Sequence, residues 1–397
     1  MSDDPTPEHV GKRIARWRKK RDLTQAGLAQ RANYSRSHLA QVEAGHKVAT
    51  PAFVAATAAA LGVDPAVLWG QPYGRDDHVH ATIPELRRVL AYVGVGPELV
   101  GQPRSLDVLA AEVATLRRLM HKVHLTKIAQ RLPSVLEELM YWAYETDDPR
   151  AWALLSLAFG RAVSLARRLG YSGDALALLE CGADAARRSQ DPNLPHLVTL
   201  ARSLLLMGLN EPKPALKLLD RAAADVHEDR PDGGEIGGAI ELRSAIIAAR
   251  AARDQDDYSS RAWDYWGKAS ERIRQGRGGK SLHGLEFTPA NVAIHGAAVA
   301  VELGDLDEAA RRDQKIQEPT LAKLPPERRA HHEIDMSRLH TETGSYGKAE
   351  ERLETADRIA PQMVTFHPTA RSVVHHLVDV RRTLPEPLRR LYNRMSA

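Results

Sequence analysis

The stretch Thr24–Gly45, TQAGLAQRANYSRSHLAQVEAG, decides how this chain is read. Thr24 is a helix N-cap, and Leu28, Ala29 and Ala32 behind it fall on one face at helical spacing. Asn33 stands where the backbone has to turn through positive φ. Glycine takes that conformation most easily, and asparagine is among the few other residues that tolerate it. Ser35 caps a second short helix whose Leu39 and Val42 point inward, and Gly45 closes it as a left-handed C-cap.

Two short helices meeting steeply across a tight turn form the helix-turn-helix motif, and its chemistry lies on the outside of the second helix. With Leu39 and Val42 buried, Arg36, Ser37, Gln41 and Ala44 share a solvent-facing stripe. Arginine grips guanine O6 and N7 with two prongs, glutamine does the same to adenine N6 and N7, and serine or alanine meets a polar edge or a thymine methyl. Gln25 opens the first helix of the pair, where amide hydrogens and the positive dipole end favour a phosphate oxygen.

Residues 10–70 resemble the lambda-repressor/Cro-type (XRE family) DNA-binding domain of bacterial and phage regulators. The resemblance is carried by Ile14 and Arg18 in a basic first helix, Leu23-Thr24-Gln25, Leu28-Ala29, Ser35-Arg36-Ser37, Glu43-x-Gly45, Pro51 and Leu61-Gly62-Val63. It implies five helices, over about 9–21, 24–32, 35–44, 51–61 and 65–69. It implies base reading by Arg36, Ser37 and Gln41 and a phosphate contact at Gln25, with Ser35, His38 and Lys47 completing the phosphate set. It also implies a structural ion pair between Arg18 and Glu43. Gly27 departs from the family's acidic residue, which removes a capping-box partner for Thr24 and costs the helix roughly 1 kcal/mol against alanine. Asp22 and Asn33 replace glycines, and both residue types can visit the left-handed region. None of these departures removes a DNA-contacting group.

A chain of 397 residues implies two or more domains. The net charge is only +4, but its placement is informative. Residues 1–70 hold ten Lys or Arg against six Asp or Glu, while the rest of the chain holds 45 of each. The whole excess therefore belongs to the helix-turn-helix region, as phosphate binding requires. The one cysteine, Cys181, rules out an intramolecular disulfide, fits a reducing cytoplasm and lies in a helical apolar stripe, where a buried inert thiol is expected. No signal peptide and no long apolar run is evident, so a soluble cytoplasmic protein with no membrane contact is expected. The abundance of Ala, Arg and Leu points to a GC-rich genome.

The organisation expected is a DNA-binding domain over 1–70, a linker with a short helix over 71–104 and a helical-repeat domain over 105–397. Pro5 and Pro7 make residues 1–8 a loose arm. His78 and His80 alternate in the linker without accompanying metal ligands. Beyond Ile83 strand signals are almost absent. A short helix is expected over 83–93, a long one from Ser105 to Leu132, and another opened by Pro133 and running to Thr146.

From there the chain repeats itself. Gly170-x₄-Ala175, Gly304-x₄-Ala309 and Gly344-x₄-Ala349 share one pattern, a helix ending at glycine and a second beginning through alanine. Met207-Gly208 opens a looser copy with a helix over about 212–227, and residues 235–275 form another pair. Gly344, Tyr346, Ala349, Ala356 and Pro361 are similar to the tetratricopeptide repeat. The fold class expected is all-α: a five-helix head on a right-handed α-solenoid with a concave face. Two Gly-rich stretches, 228–238 and 276–288, interrupt the repeats. The second, with Lys280-Ser281, misses the phosphate-loop spacing and reads as a flexible loop. Trp263, Tyr265 and Trp266 are candidates to line an effector pocket, against the alternative of core packing. His331, His332, His375 and His376 read as surface or groove histidines. No catalytic constellation, metal set or cofactor motif emerges, so an enzyme is not expected.

This arrangement resembles actinobacterial XRE regulators with a tetratricopeptide-like C-terminal region, and the peptide-responsive regulators of Gram-positive bacteria. The resemblance implies a homodimer on double-stranded DNA with a peptide or small-molecule effector in its groove. The competing reading is a protein-interaction scaffold whose head no longer binds DNA.

Overall fold

The computed structural model describes residues 8–73, 78–252, 257–279, 281–381 and 383–396, so the arm expected over 1–8 (save Glu8), linker residues 74–77 and Lys280 lie outside the described residues. Every regular element among the described residues is a helix.

The head comprises α1 (Val10–Lys20), α2 (Gln25–Arg31), α3 (Arg36–Glu43), α4 (Pro51–Leu61) and α5 (Pro65–Trp69). Each of the last four begins at a side-chain acceptor, Thr24, Ser35, Thr50 or Asp64, that takes a backbone N–H of the first turn. Pro51 and Pro65 occupy the first helical position, where a missing N–H costs nothing. Ile14, Leu28, Leu39, Phe53 and Leu68 meet at the centre with no exposed surface.

A 3₁₀ turn (His78–Ala81) and α6 (Thr82–Ala91) lead to α7 (Leu106–His121) and α8 (Leu125–Thr146). Both helices differ from the expectation. The long helix from Ser105 breaks at Val123, which adopts φ 54° while its side chain is buried. Pro133, expected to open a helix, lies inside α8 instead. Proline at this position leaves the carbonyl four residues earlier, that of Ala129, without its N–H donor. The Thr82 hydroxyl supplies one at 3.1 Å, so the helix continues.

The body is built of helix pairs: α9 (Pro149–Leu169) with α10 (Ser172–Arg188), α11 (Leu194–Gly208) with α12 (Pro212–Asp225), and α13 (Gly233–Ala251) with α14 (Asp257–Arg274). Then come α15 (Pro289–Leu303) with α16 (Leu306–Gln314) and, after the short α17 (Glu318–Leu321), α18 (Pro326–Glu342) with α19 (Tyr346–Ile359). Three helices, α20 (Pro361–Phe366), α21 (Pro368–Val380) and α22 (Glu386–Ser396), finish the chain. At the repeated motif Gly170, Gly304 and Gly344 take φ of 88°, 80° and 72°, and Ala175, Ala309 and Ala349 are fully buried where paired helices approach. In the α11–α12 pair Gly208 is still helical. Asn210, at φ 64°, makes the turn and restores the five-residue offset to the buried Ala215.

The two interruptions are more ordered than the sequence implied. Residues 233–238 belong to α13, and their glycines permit close approach: a Cβ on Gly238 would collide with the Phe287 ring. The loop after α14 is pinned by the buried Glu235 carboxylate, which accepts the N–H groups of Leu282, His283 and Leu285 at 2.8, 3.0 and 2.8 Å. Arg117 and Arg161 donate to carbonyls of the same loop, tying it to α7 and α9.

Head and body share one continuous hydrophobic core running from Val10 to Met395. The seam between them is polar in places: His376 Nδ1 donates to the Gly45 carbonyl at 3.0 Å, and the Arg371 guanidinium lies 3.9 Å over the Tyr73 ring. Helix α4 of the head also contacts α11 of the body.

Candidate nucleic-acid interface

Helix α3 is oriented by what it buries. Leu39 and Val42 are sealed against the head core, and a Cβ on Gly11 of α1 would overlap the Val42 carbonyl, so α1 and α3 cross at near contact. Asn33 makes the turn before α3 at φ 57°, as the sequence predicted. The opposite face, with Arg36, Ser37 and Gln41, is exposed, and the Arg36 guanidinium has no partner among the described residues. The body packs against α4 and the turn at Gly45, leaving that face clear.

Beneath the face lies a hub joining three helices. Glu43, the last residue of α3, accepts from Arg18 Nε at 2.7 Å and Nη2 at 2.9 Å, and from Gln25 Nε2 at 2.9 Å. Arg18 also donates to the Leu23 carbonyl at 2.9 Å. The hydrogen bond to Glu43 raises the Arg18 pKa. The Arg18–Glu43 pair is thus present as the resemblance implied, whereas the tie from Gln25 was not anticipated. Gln25 keeps one amide hydrogen for an outside acceptor.

The expected phosphate set is dispersed. Ser35 is exposed, and its hydroxyl accepts the His38 N–H at 3.1 Å. The His38 ring, expected at a phosphate, turns inward instead: it stacks on Phe53 with centroids 5.0 Å apart and meets the Tyr34 edge. Lys47 is half-buried beside the head–body seam.

A cavity of about 580 Å³ lies within the body. Its walls come mainly from the first helix of each pair, α9, α11, α13, α15 and α18, with α10 and α20 contributing as well, and Pro51, Ala55 and Trp69 of the head close one side. The three aromatic candidates do not line it. Arg312 stacks over Trp263 and Trp266 at 4.3 and 4.4 Å, Trp266 Nε1 donates to the Val292 carbonyl at 2.9 Å, and the Tyr265 hydroxyl donates to Asp220 at 2.6 Å. They join helix pairs to one another. Sequence reasoning missed the cavity residues because a polar stripe facing an internal space has the same spacing as one facing solvent.

The histidines divide. His331 and His332 border the cavity, His332 also lying 2.9 Å from Asp313, whereas His375 and His376 lie in the head–body seam, so the surface-or-groove reading is corrected for the last two. His80 contacts the Tyr73 carbonyl and the Tyr171 hydroxyl at 2.6 and 3.2 Å. Burial raises the Cys181 pKa to about 11, consistent with an inert thiol. No described helix is long and apolar enough to cross a membrane.

A family model described as a helix-turn-helix domain matches residues 9–68, the span of α1 to α5. No curated protein sequence matches the chain.

Proposed function

We propose that this chain is a sequence-specific DNA-binding transcriptional regulator of the lambda-repressor/Cro type rather than an enzyme. In this reading it acts as a cytoplasmic homodimer on an inverted-repeat operator and senses a peptide or small-molecule effector through its tetratricopeptide-like body. The observation that carries the reading is the outer face of α3, where Arg36, Ser37 and Gln41 are exposed on a helix fixed from behind by the Glu43 hub. The scaffold reading gives that face no task.

Selection of binding sites from random duplex DNA with the full-length protein, followed by anisotropy titrations, tests this. Arg36→Ala and Gln41→Ala are each expected to cost about 1–3 kcal/mol of discrimination at one base pair. Gln25→Ala is expected to weaken all sequences alike, because it removes a phosphate donor. An unchanged motif with Arg36→Ala would show that another surface reads the DNA.

A single head covers few base pairs, so tight binding calls for two heads on half-sites about 34 Å apart. The recovered site is expected to be an inverted repeat bound by two chains. Tight occupancy of one half-site by one chain would refute the dimer.

A further inference from the structure

The cavity in the body holds more positive charge than its carboxylates balance. Seven arginines border it, three from α9, two from α13 and two from α18, against four carboxylates. Four of the arginines are paired: Arg168 and Arg328 share Glu327, Arg250 pairs with Glu302, and Arg338 donates to Glu342 at 2.8 Å with Glu302 next to it at 3.5 Å. Arg161 donates to the His283 carbonyl at 3.0 Å. The remaining two, Arg167 on α9 and Arg243 on α13, have no side-chain hydrogen bond or ion pair among the described residues.

Burial, and after it the neighbouring guanidinium groups, lowers the pKa of Arg167 to about 10 and of Arg243 to about 9. Both stay cationic at neutral pH. Burial and then Arg328 push His295 down to about 3, so it stays neutral and adds no charge. Four more donors of these arginines, the Nε atoms of Arg161, Arg168 and Arg250 and Nη2 of Arg338, are buried without a partner. Converging like charges and unsatisfied buried donors both destabilise a fold, so stability does not account for this set.

The other side of the cavity is apolar. Helix α11 presents Leu197, Ala201 and Leu204 along one face, and the head closes the space with Pro51, Ala55 and Trp69. The volume lies in the range of small-molecule sites.

We infer that the cavity binds a small amphipathic organic anion, its carboxylate or phosphate held between Arg167 and Arg243 and its apolar body laid along α11 against the head. This names the effector class of the regulator proposed above, and it rests on that reading only for the consequence on DNA. A ligand touching Pro51, Ala55 and Trp69 touches the head itself. Occupancy therefore stabilises the head in the seating described above, by as much as the ligand gains from that wall.

The test is calorimetric titration of the full-length protein, without DNA, using decanoate, decyl phosphate and the neutral decanol. At least one anion is expected to bind about tenfold or more tightly than decanol, and the tighter of the two tells a carboxylate site from a phosphate site. Arg167→Gln and Arg243→Gln are each expected to remove that preference while leaving decanol unchanged. Equal binding of all three probes, or binding of neither anion, overturns the inference. Arg243→Met supplies a readout on folding: removing one of several converging cations is expected to raise the melting temperature of the free protein. A lowered melting temperature would make Arg243 a structural residue and overturn the assignment. Because these readouts need no DNA, failure of the chain to bind any duplex would refute the regulator reading and leave anion binding intact.

Discussion

Glu43→Ala is expected to destabilise the helix-turn-helix unit by about 3–5 kcal/mol, the usual consequence of removing one partner from a buried ion pair. The side chains of Arg18 and Glu43 are only 11% and 6% exposed, so solvent does little to replace the lost carboxylate. The substitution leaves a guanidinium in the head with one carbonyl, that of Leu23, as its remaining partner, and it releases Gln25. The three helices that set the angle of α3 lose their common tie. Hydrogen exchange on the full-length protein reads this directly: amides across 24–45 are expected to lose protection while those in α9 and α13 keep theirs. Replacing both partners, Arg18→Met with Glu43→Met, is expected to recover most of the loss, because an apolar pair of similar volume avoids the desolvation cost altogether. A single variant with wild-type protection, or a double variant no better than the single, would show that the hub does not hold the head.

How far the sequence carried this picture depends on the range of the contact. The caps at Thr24 and Ser35 act within three residues of themselves, and each marked a helix start; Thr50 and Asp64 cap α4 and α5 in the same way, although the bounds of those helices came from the resemblance. The turn glycines of the repeats were legible for the same reason, and Asn210 could have been found by asking which residue stands five before the buried alanine. Pro133 misled because its rescue comes from Thr82, on a separate helix. The seating of the head was invisible for a stronger version of that reason: His376 and Gly45 are 331 residues apart, and nothing local to either announces the other. The cavity lies between these extremes. Arg243, Ile246 and Arg250 recur at helical spacing, yet periodicity reports only that a face is polar, never what it faces.

Acidification is expected to weaken the seam between head and body before the carboxylates of the body titrate. His375 on α21 faces Arg371 of its own helix, Arg13 of α1 with its N-cap His9, and the Tyr392 ring of α22 at 5.5 Å. Burial first, and Arg371 and Arg13 after it, hold its pKa at about 4, against 6.5 for an ordinary histidine. His9 is lowered as well, chiefly by burial, with Asp379 opposing the shift. A group whose pKa is depressed in the folded state contributes stability that is complete above the unfolded value and is lost as the pH falls through the folded one. The window for His375 therefore runs from about pH 6.5 down to about pH 4, and by pH 5 it accounts for a loss of roughly 2 kcal/mol. Chemical denaturation of the full-length protein between pH 7 and pH 5 should show that loss together with a comparable one from His295 of the body, held at about 3, and His375→Asn should remove only the share of His375, about 2 kcal/mol by pH 5, since an amide cannot gain the proton. Hydrogen exchange should place the early loss at the turn around Gly45, whose carbonyl is held from α21. An unchanged slope in His375→Asn, or no early loss of protection around Gly45, would show that the seam does not take up this proton.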